Sequence, residues 1–119
     1  MCMIDGAEPY YPYTTKQSIA RKEHVCDECG RAIAPGERYE RMTGMLERQW
    51  DTAKTCSHCI WARDWLTGEC GGYCHYGVLE DLEEHWTSEL IRDLDLGRRI
   101  VGMRRKWQHR DGSLMELAA

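Results

Sequence analysis

The clearest periodic pattern of apolar residues lies in the C-terminal half of the chain. Between residues 78 and 96, large apolar side chains recur at spacings of three and four, which is the repeat of an amphipathic helix. This stripe consists of Leu79, Leu82, Trp86, Leu90 and Leu94. Gly97 follows the stripe and predicts the C-terminal end of the helix. We therefore expect one long helix over 78–96, followed by a segment at 98–107 that forms a short helix or a strand.

A second helical pattern begins after residue 56. Ser57 is a suitable N-cap, and Trp61 and Trp65 are i, i+4 neighbours that would share one apolar face with the pair Ala62 and Leu66. The sequence therefore predicts a helix from residue 57 to about residue 68. The glycine-rich stretch at 68–77 would end it.

Residues 37–55 alternate charged residues with bulky or β-prone ones, which predicts a two-stranded hairpin with one solvent-facing side. Two dipeptides compete for its turn, Thr43-Gly44 and Glu47-Arg48. Pro35-Gly36, just before the hairpin, has the pattern of a type II turn. The remaining expectations are an irregular arm at 1–15, an extended segment at 16–25, a turn at 111–112 and a terminal strand at 114–117.

Composition changes this picture little. The 119 residues are 42% hydrophobic and 30% charged, which indicates a single globular domain over 1–119. The formal net charge of −4 gives no general polybasic signal for nucleic acid. No stretch is apolar and long enough to span a membrane, and the N-terminus does not resemble a secretory leader. We therefore expect a cytoplasmic protein that does not enter a membrane.

Two Cys-x-x-Cys pairs carry the strongest chemical signal in the chain. They are Cys26 with Cys29, and Cys56 with Cys59. Four thiolates in two close pairs can surround Zn²⁺ as a tetrahedron, which leaves no open position for water or substrate. The chain has seven cysteines, and this odd number favours metal binding in a reducing compartment over a disulfide framework. His58 lies inside the second pair, where we expect a solvent-facing residue or a donor to the sulfurs rather than a ligand.

The first cysteine pair lies in a knuckle, Cys26-Asp27-Glu28-Cys29-Gly30, which is followed by a turn, a hairpin and a helix that carries the second pair in its first turn. This order of elements resembles the treble-clef zinc finger. The resemblance covers residues 24–68 and implies an α+β fold with one structural zinc, extended here by the 78–96 helix and a basic segment at 98–119. Treble clefs serve as nucleic-acid-binding modules, protein-docking modules and, in one branch, nucleases. The nuclease branch requires histidines that are missing between Cys29 and Cys56, which argues against catalysis. The whole chain also resembles small zinc proteins encoded by bacteriophages and prophages.

A possible second metal site lies in the glycine-rich stretch. Cys70, Cys74 and His75 place three potential ligands within six residues, and a fourth could come from Cys2, His24 or His85. A three-ligand zinc with a bound water would permit a metalloenzyme. The alternative is that the two cysteines are small apolar residues that pack the loop against the tryptophans.

The C-terminal third separates its charges. Acidic residues dominate 80–95, whereas 98–110 contains only basic charges together with an aromatic residue; this basic cluster comprises Arg98, Arg99, Arg104, Arg105, Lys106, Trp107 and Arg110. The cluster could contact phosphate and stack on a base, dock an acidic partner protein, or pair with the chain's own acidic helix.

Among the tryptophans, Trp50, Trp61, Trp65 and Trp86 fit core positions, and Trp107 is the best candidate for an exposed anchor. The function predicted first is a non-catalytic, zinc-stabilised protein-interaction module. Nucleic-acid binding comes second and metalloenzyme chemistry third.

Overall fold

The computed structural model describes residues 13–46, 48–73, 76–88 and 93–117, and in these ranges the chain is α+β. Three strands form an antiparallel sheet in the order β1-β4-β5, and two short strands, β2 and β3, form a separate antiparallel ribbon. Three helices follow the sheets. The elements are β1 Tyr13–Ile19, β2 His24–Val25, β3 Ala32–Ile33, β4 Arg38–Leu46, β5 Gln49–Cys56, α1 Ser57–Cys70, α2 Val78–Ser88 and α3 Leu94–Arg104.

The predicted hairpin is present as β4 and β5. Leu46 pairs with Gln49, so the turn falls at residues 47 and 48. Arg48 has a φ of 67°, the left-handed conformation that such a short connection requires. Thr43-Gly44, the other candidate turn, lies inside β4, where Gly44 pairs with Asp51. Glu47 itself lies outside the described residues.

The sheet has a third strand, of which the sequence predicted only an extended segment from residue 16. β1 pairs antiparallel with β4 from Tyr13 opposite Gly44 to Ile19 opposite Arg38. The expected irregular arm at 1–15 is therefore wrong for residues 13–15, while residues 1–12 lie outside the described part of the chain. Most β1 side chains are exposed, so no alternation of buried and exposed residues marks this edge strand.

Helix α1 begins at the expected residue, but its N-cap lies one residue earlier than expected. Cys56, not Ser57, is its N-cap: the Cys56 backbone is extended and its Sγ accepts a hydrogen bond from the Cys59 amide. The helix also continues past Gly68 to Cys70, and its C-cap Gly71 has a φ of 77° and donates its amide to Thr67 O. A Cβ added at Gly68 would meet no atom within 4 Å.

The single helix predicted over 78–96 is wrong. Asp93 is extended, with φ −93° and ψ 115°, and its carboxylate accepts the amide of Asp95 as the N-cap of α3. Gly97 therefore lies inside α3, where a Cβ would come within 3.2 Å of the Trp86 ring. The segment expected at 98–107 is helical as far as Arg104. Residues 89–92 lie outside the described ranges.

The buried core lies where α1, α2 and α3 meet the cysteine pairs, with Leu66, Leu82, Leu96 and Met103 at its centre. Trp61, Trp65 and Trp86 pack partly buried against it. Trp50 does not pack against the core, because its side chain on the distal half of β5 is 64% exposed.

The turn at 111–112 is present, but residues 114–117 form only a single bridge, between Leu114 and Gln108. Within the described ranges, no helix has the length and apolar character needed to cross a bilayer.

Candidate metal centre

The four cysteines of the two Cys-x-x-Cys pairs converge on one point. The Sγ atoms of Cys26, Cys29, Cys56 and Cys59 all lie within 4.8 Å of one another, and those of Cys29 and Cys56 are 4.0 Å apart. All four thiols are free, and three of the residues are fully buried. A tetrahedral zinc with bonds of about 2.3 Å separates its sulfurs by about 3.8 Å. The cluster therefore has the donor set and the spacing of a tetrathiolate metal site.

The first pair is held by a tight turn. The Gly30 amide donates to Cys26 O at 2.9 Å, and Gly30 adopts a φ of 81° that a residue with a side chain would resist. The turn is tied to β5 through Asp27, whose amide donates to Lys54 O at 2.8 Å and whose carboxylate accepts the Lys54 amide at 2.7 Å. These bonds place the first cysteine pair beside the end of β5, where the second pair begins.

Backbone and indole N–H groups point at the sulfurs. The Cys56 amide donates to Cys26 Sγ at 3.4 Å, and the Cys59 amide donates to Cys56 Sγ at 3.4 Å. The indole Nε1 of Trp107 donates to Cys59 Sγ at 3.3 Å. Such donors stabilise thiolate over thiol, as does the N-terminal end of α1 on which Cys59 lies.

Electrostatics favour a cation at this cluster. Hydrogen bonds from the Cys29 and Cys56 thiols lower the pKa of Cys26, whereas the contact of Cys59 with Cys26, together with burial, raises the pKa of Cys59. Four negative charges this close repel one another, so without a metal the thiols can ionise only in part. A divalent cation removes that conflict and leaves a net charge of about −2 on the cluster.

Arg31 supplies positive charge beside the cluster. Its guanidinium is buried and interacts electrostatically with Cys56. It also makes two hydrogen bonds to the Glu37 carboxylate, at 2.9 and 3.1 Å, which hold it in place. The sequence did not single out Arg31; its position directly after the knuckle glycine was the only local signal available.

His58 does not belong to the sulfur cluster. Its ring is buried, with Nδ1 3.2 Å from Arg31 and Nε2 2.6 Å from Met115 O. Of the two positions expected for the His58 side chain, the solvent-facing one is wrong, because the residue is only 6% exposed. His58 instead joins Arg31 to the C-terminal part of the chain.

The C-terminal segment, residues 105–117, packs onto the cluster through Trp107. Lys106 and Trp107 both have positive φ, 53° and 59°, which turns the chain back beneath α3. The Trp107 amide donates to Gly102 O at 2.7 Å, and the Met115 amide donates to Trp107 O at 2.7 Å. The expectation that Trp107 is an exposed anchor is wrong: the residue is only 3% exposed. Two consecutive non-glycine residues with positive φ are unusual, so sequence patterns did not reveal this fold-back.

The basic cluster divides into two groups. Arg99 pairs with Asp95 and stacks on the Trp61 ring, and Arg104 pairs with Glu83. The remaining members, Arg98, Arg105, Lys106 and Arg110, are exposed, and none has a salt bridge within the described part of the chain. The Lys106 Nζ lies 3.8 Å from where a Cβ on Gly30 would be, next to the knuckle.

The second set of predicted ligands is placed only in part. Cys74 and His75 lie outside the described residues, as does Cys2. Cys70, at the end of α1, lies beside His85 rather than His24, which lies on β2 and packs against Tyr39. Cys70 is also disulfide-bonded, which the expectation of a chain without disulfides did not include.

No family model, curated protein or solved structure matches this chain. Its class is therefore defined by its own geometry: an α+β chain, with antiparallel sheets and three helices in the described ranges, whose four clustered cysteines fit a tetrathiolate metal site.

Proposed function

We propose that this chain is a small zinc-stabilised binding protein without catalytic activity. The convergence of four free thiols supports this proposal most directly. Zinc with four cysteine ligands has no open position, so it contributes folding energy rather than Lewis-acid chemistry. The four residues would hold the ion, the N–H donors described above would stabilise the thiolates, and Arg31 would balance part of the remaining negative charge.

The treble-clef assignment is part of the same proposal. The elements follow one another in the order of that fold: a knuckle at Cys26–Gly30, then the β4–β5 hairpin, then the start of α1. The second cysteine pair lies at the junction of β5 and α1, as a treble clef requires. The extra strand β1 and the helices α2 and α3 would then be additions to the finger.

A groove beside the C-terminal segment is the proposed docking surface. It encloses about 1140 Å³ and is lined by Trp61, Trp86, Leu94, Val101 and Leu114, among others. Leu94 is 75% exposed and Val101 48%, and both apolar side chains line this groove. Exposed basic residues border it, with Arg98 in its wall and Arg105 and Arg110 on the adjoining segment.

The occupant that fits this surface is a partner protein that presents an apolar segment with acidic residues beside it. Apolar anchors would fill the groove and carboxylates would meet the exposed arginines. The resemblance to phage and prophage proteins is the basis for proposing a regulatory role in the cytoplasm of a host cell.

A selection of displayed peptides on the immobilised, zinc-loaded protein tests this function. We expect the selected peptides to combine aliphatic or aromatic anchors with Asp or Glu, and their binding to be lost in Val101→Glu. Ile19→Glu is the matched control, since Ile19 is also an exposed aliphatic residue (61%, against 48% for Val101) but lies on β1 and does not line the groove. Selected peptides that bind Val101→Glu as well as they bind the unchanged protein would refute the docking surface.

Nucleic-acid binding is the second candidate, favoured by the exposed Arg98, Arg105, Lys106 and Arg110. It is weaker because Arg99 and Arg104 are engaged in ion pairs and Trp107 is buried, which removes the stacking residue. Binding to DNA or RNA that falls steeply with salt, and that falls further in Arg105→Ala with Arg110→Ala, would favour it over protein docking.

A further inference from the structure

A second group of metal-ligating side chains lies where α1 ends beside α2. Cys70 is the last residue of α1, and Asp81 and His85 lie one turn apart on α2. Cys70 Sγ is 3.2 Å from His85 Nε2, and His85 Nε2 is 3.8 Å from Asp81 Oδ1. All three potential ligand atoms lie within 4.8 Å of one another. A tetrahedral zinc separates sulfur, nitrogen and oxygen ligands by about 3.3 to 3.6 Å, so these atoms are already spaced as ligands.

The surroundings hold these ligands in position. Asp81 is 1% exposed and His85 is 7% exposed, so both project into the protein from the same face of α2. The Trp65 ring packs edge-on against the His85 imidazole, with centroids 4.9 Å apart. The site is separate from the four-cysteine centre and shares no ligand with it.

The oxidation state of Cys70 controls whether it can act as a ligand. Cys70 is disulfide-bonded, and the other half of the bond lies outside the described residues. A disulfide sulfur carries no negative charge and is a poor ligand for zinc. A dithiol reductant can break the S–S bond by exchange: the two protein sulfurs gain two electrons and two protons, and the reductant becomes a disulfide. The Cys70 thiol then releases its proton to solvent as it binds the cation.

We propose that reduction of the Cys70 disulfide creates a second zinc site, with Cys70, Asp81 and His85 as ligands. A thiolate, an imidazole and a carboxylate form a donor set that suits Zn²⁺ over harder cations. In the reduced state the zinc ties the end of α1 to α2, and in the oxidised state the site is closed to the metal. Of the histidines named as possible fourth ligands, His85 is therefore the one that binds.

Zinc counting on the full chain by native mass spectrometry tests the proposal. One sample is reduced with a dithiol, a second keeps the Cys70 disulfide, and both are equilibrated with Zn²⁺ alone and desalted. We expect two zinc ions per reduced chain and one per oxidised chain. His85→Ala should hold one ion in the reduced state. His109→Ala, which removes an exposed histidine, is the matched control and should hold two.

The two centres give separate readouts, so failure of one does not imply failure of the other. A single ion in the reduced, unchanged chain would overturn the second site and leave the four-cysteine centre standing. Two ions retained in His85→Ala would also overturn it. If His85→Ala loses both ions by unfolding, Asp81→Asn decides: with the first ion kept, the second should bind at least about tenfold more weakly in competition with a chelator. An unchanged affinity in Asp81→Asn would refute the assignment.

Discussion

Replacement of Gly102 by alanine would place a methyl group against the ring of Trp107. A Cβ on Gly102 would lie 2.1 Å from Trp107 Cζ3 and 2.4 Å from Cε3. Carbon atoms in contact are normally about 3.5 to 4.0 Å apart, so the ring must move by more than about 1 Å. The ring cannot move freely. Its indole N–H donates a hydrogen bond to Cys59 Sγ, and the Trp107 backbone is hydrogen-bonded to both Gly102 and Met115.

Two effects of opposite sign set the size of the change. Overpacking of a well-filled core costs about 1–3 kcal/mol, and complete expulsion of a buried tryptophan side chain costs about 3–5 kcal/mol. Alanine inside a helix is about 1 kcal/mol more favourable than glycine. Because Gly102 lies within α3, this gain offsets part of the clash. We expect Gly102→Ala to lower the free energy of unfolding by about 2–3 kcal/mol.

Urea unfolding at a buffered free zinc concentration, followed by circular dichroism, measures this change. Gly68→Ala is the control: Gly68 also lies inside a helix, but nothing lies within 4 Å of its added Cβ. That variant should be more stable by about 0.5–1 kcal/mol. In a Trp107→Ala background, Gly102→Ala should become neutral or stabilising, since the ring is gone. A Gly102→Ala protein as stable as the unchanged chain would refute the packing of Trp107 beneath α3.

The metal centre and its surroundings give three further predictions. Cys29→Ser should leave the chain largely unfolded, as measured by circular dichroism. A cooperative thermal transition of the protein in the presence of a chelator, without metal, would contradict the coupling of zinc binding to folding. Trp107→Phe removes the hydrogen-bond donor to Cys59 Sγ and should speed zinc transfer to a chromophoric chelator by about tenfold. Trp65→Phe is the control: it loses only an exposed hydrogen bond to Asp93 and should not change the transfer rate. Hydrogen bonds from Arg31 lower the pKa of Glu37 below its usual 4.5, so the pair stabilises the fold above that pH and loses this contribution as the pH falls through the lowered pKa. Glu37→Gln should therefore be less stable than the unchanged chain at pH 7, and the gap in urea midpoint should close in acid; a constant gap would count against the ion pair.

The spacing of the cysteines was sufficient to predict their convergence, because two close pairs can approach each other across a hairpin whatever the details of the turn. The helical pattern around Trp61 and Trp65 likewise identified α1. These features depend on local periodicity and on short-range chain geometry, which a single sequence records well.

The remaining features depend on contacts that no local pattern records. The apolar stripe of 78–96 continues through Leu94, so the break at Asp93 is visible only through the cap that its carboxylate makes. Strand β1 has exposed side chains on an edge, and its partner β4 lies beyond the whole knuckle. Trp107 lies in the basic cluster along the chain yet is buried against Cys59 in space, and Cys70 finds His85 rather than a neighbour in its own loop.

The order of these parts along the chain has a consequence for synthesis on the ribosome. All four cysteines of the cluster precede residue 60, so a nascent chain can capture zinc while its second half is still untranslated. Trp107, which is hydrogen-bonded to Met115, reaches the cluster only after α3 has emerged and the chain has turned back beneath it. Metal exchange would then be fast on the growing chain and slow after the C-terminal segment docks. The zinc acquired early during translation would be the one that the finished protein keeps.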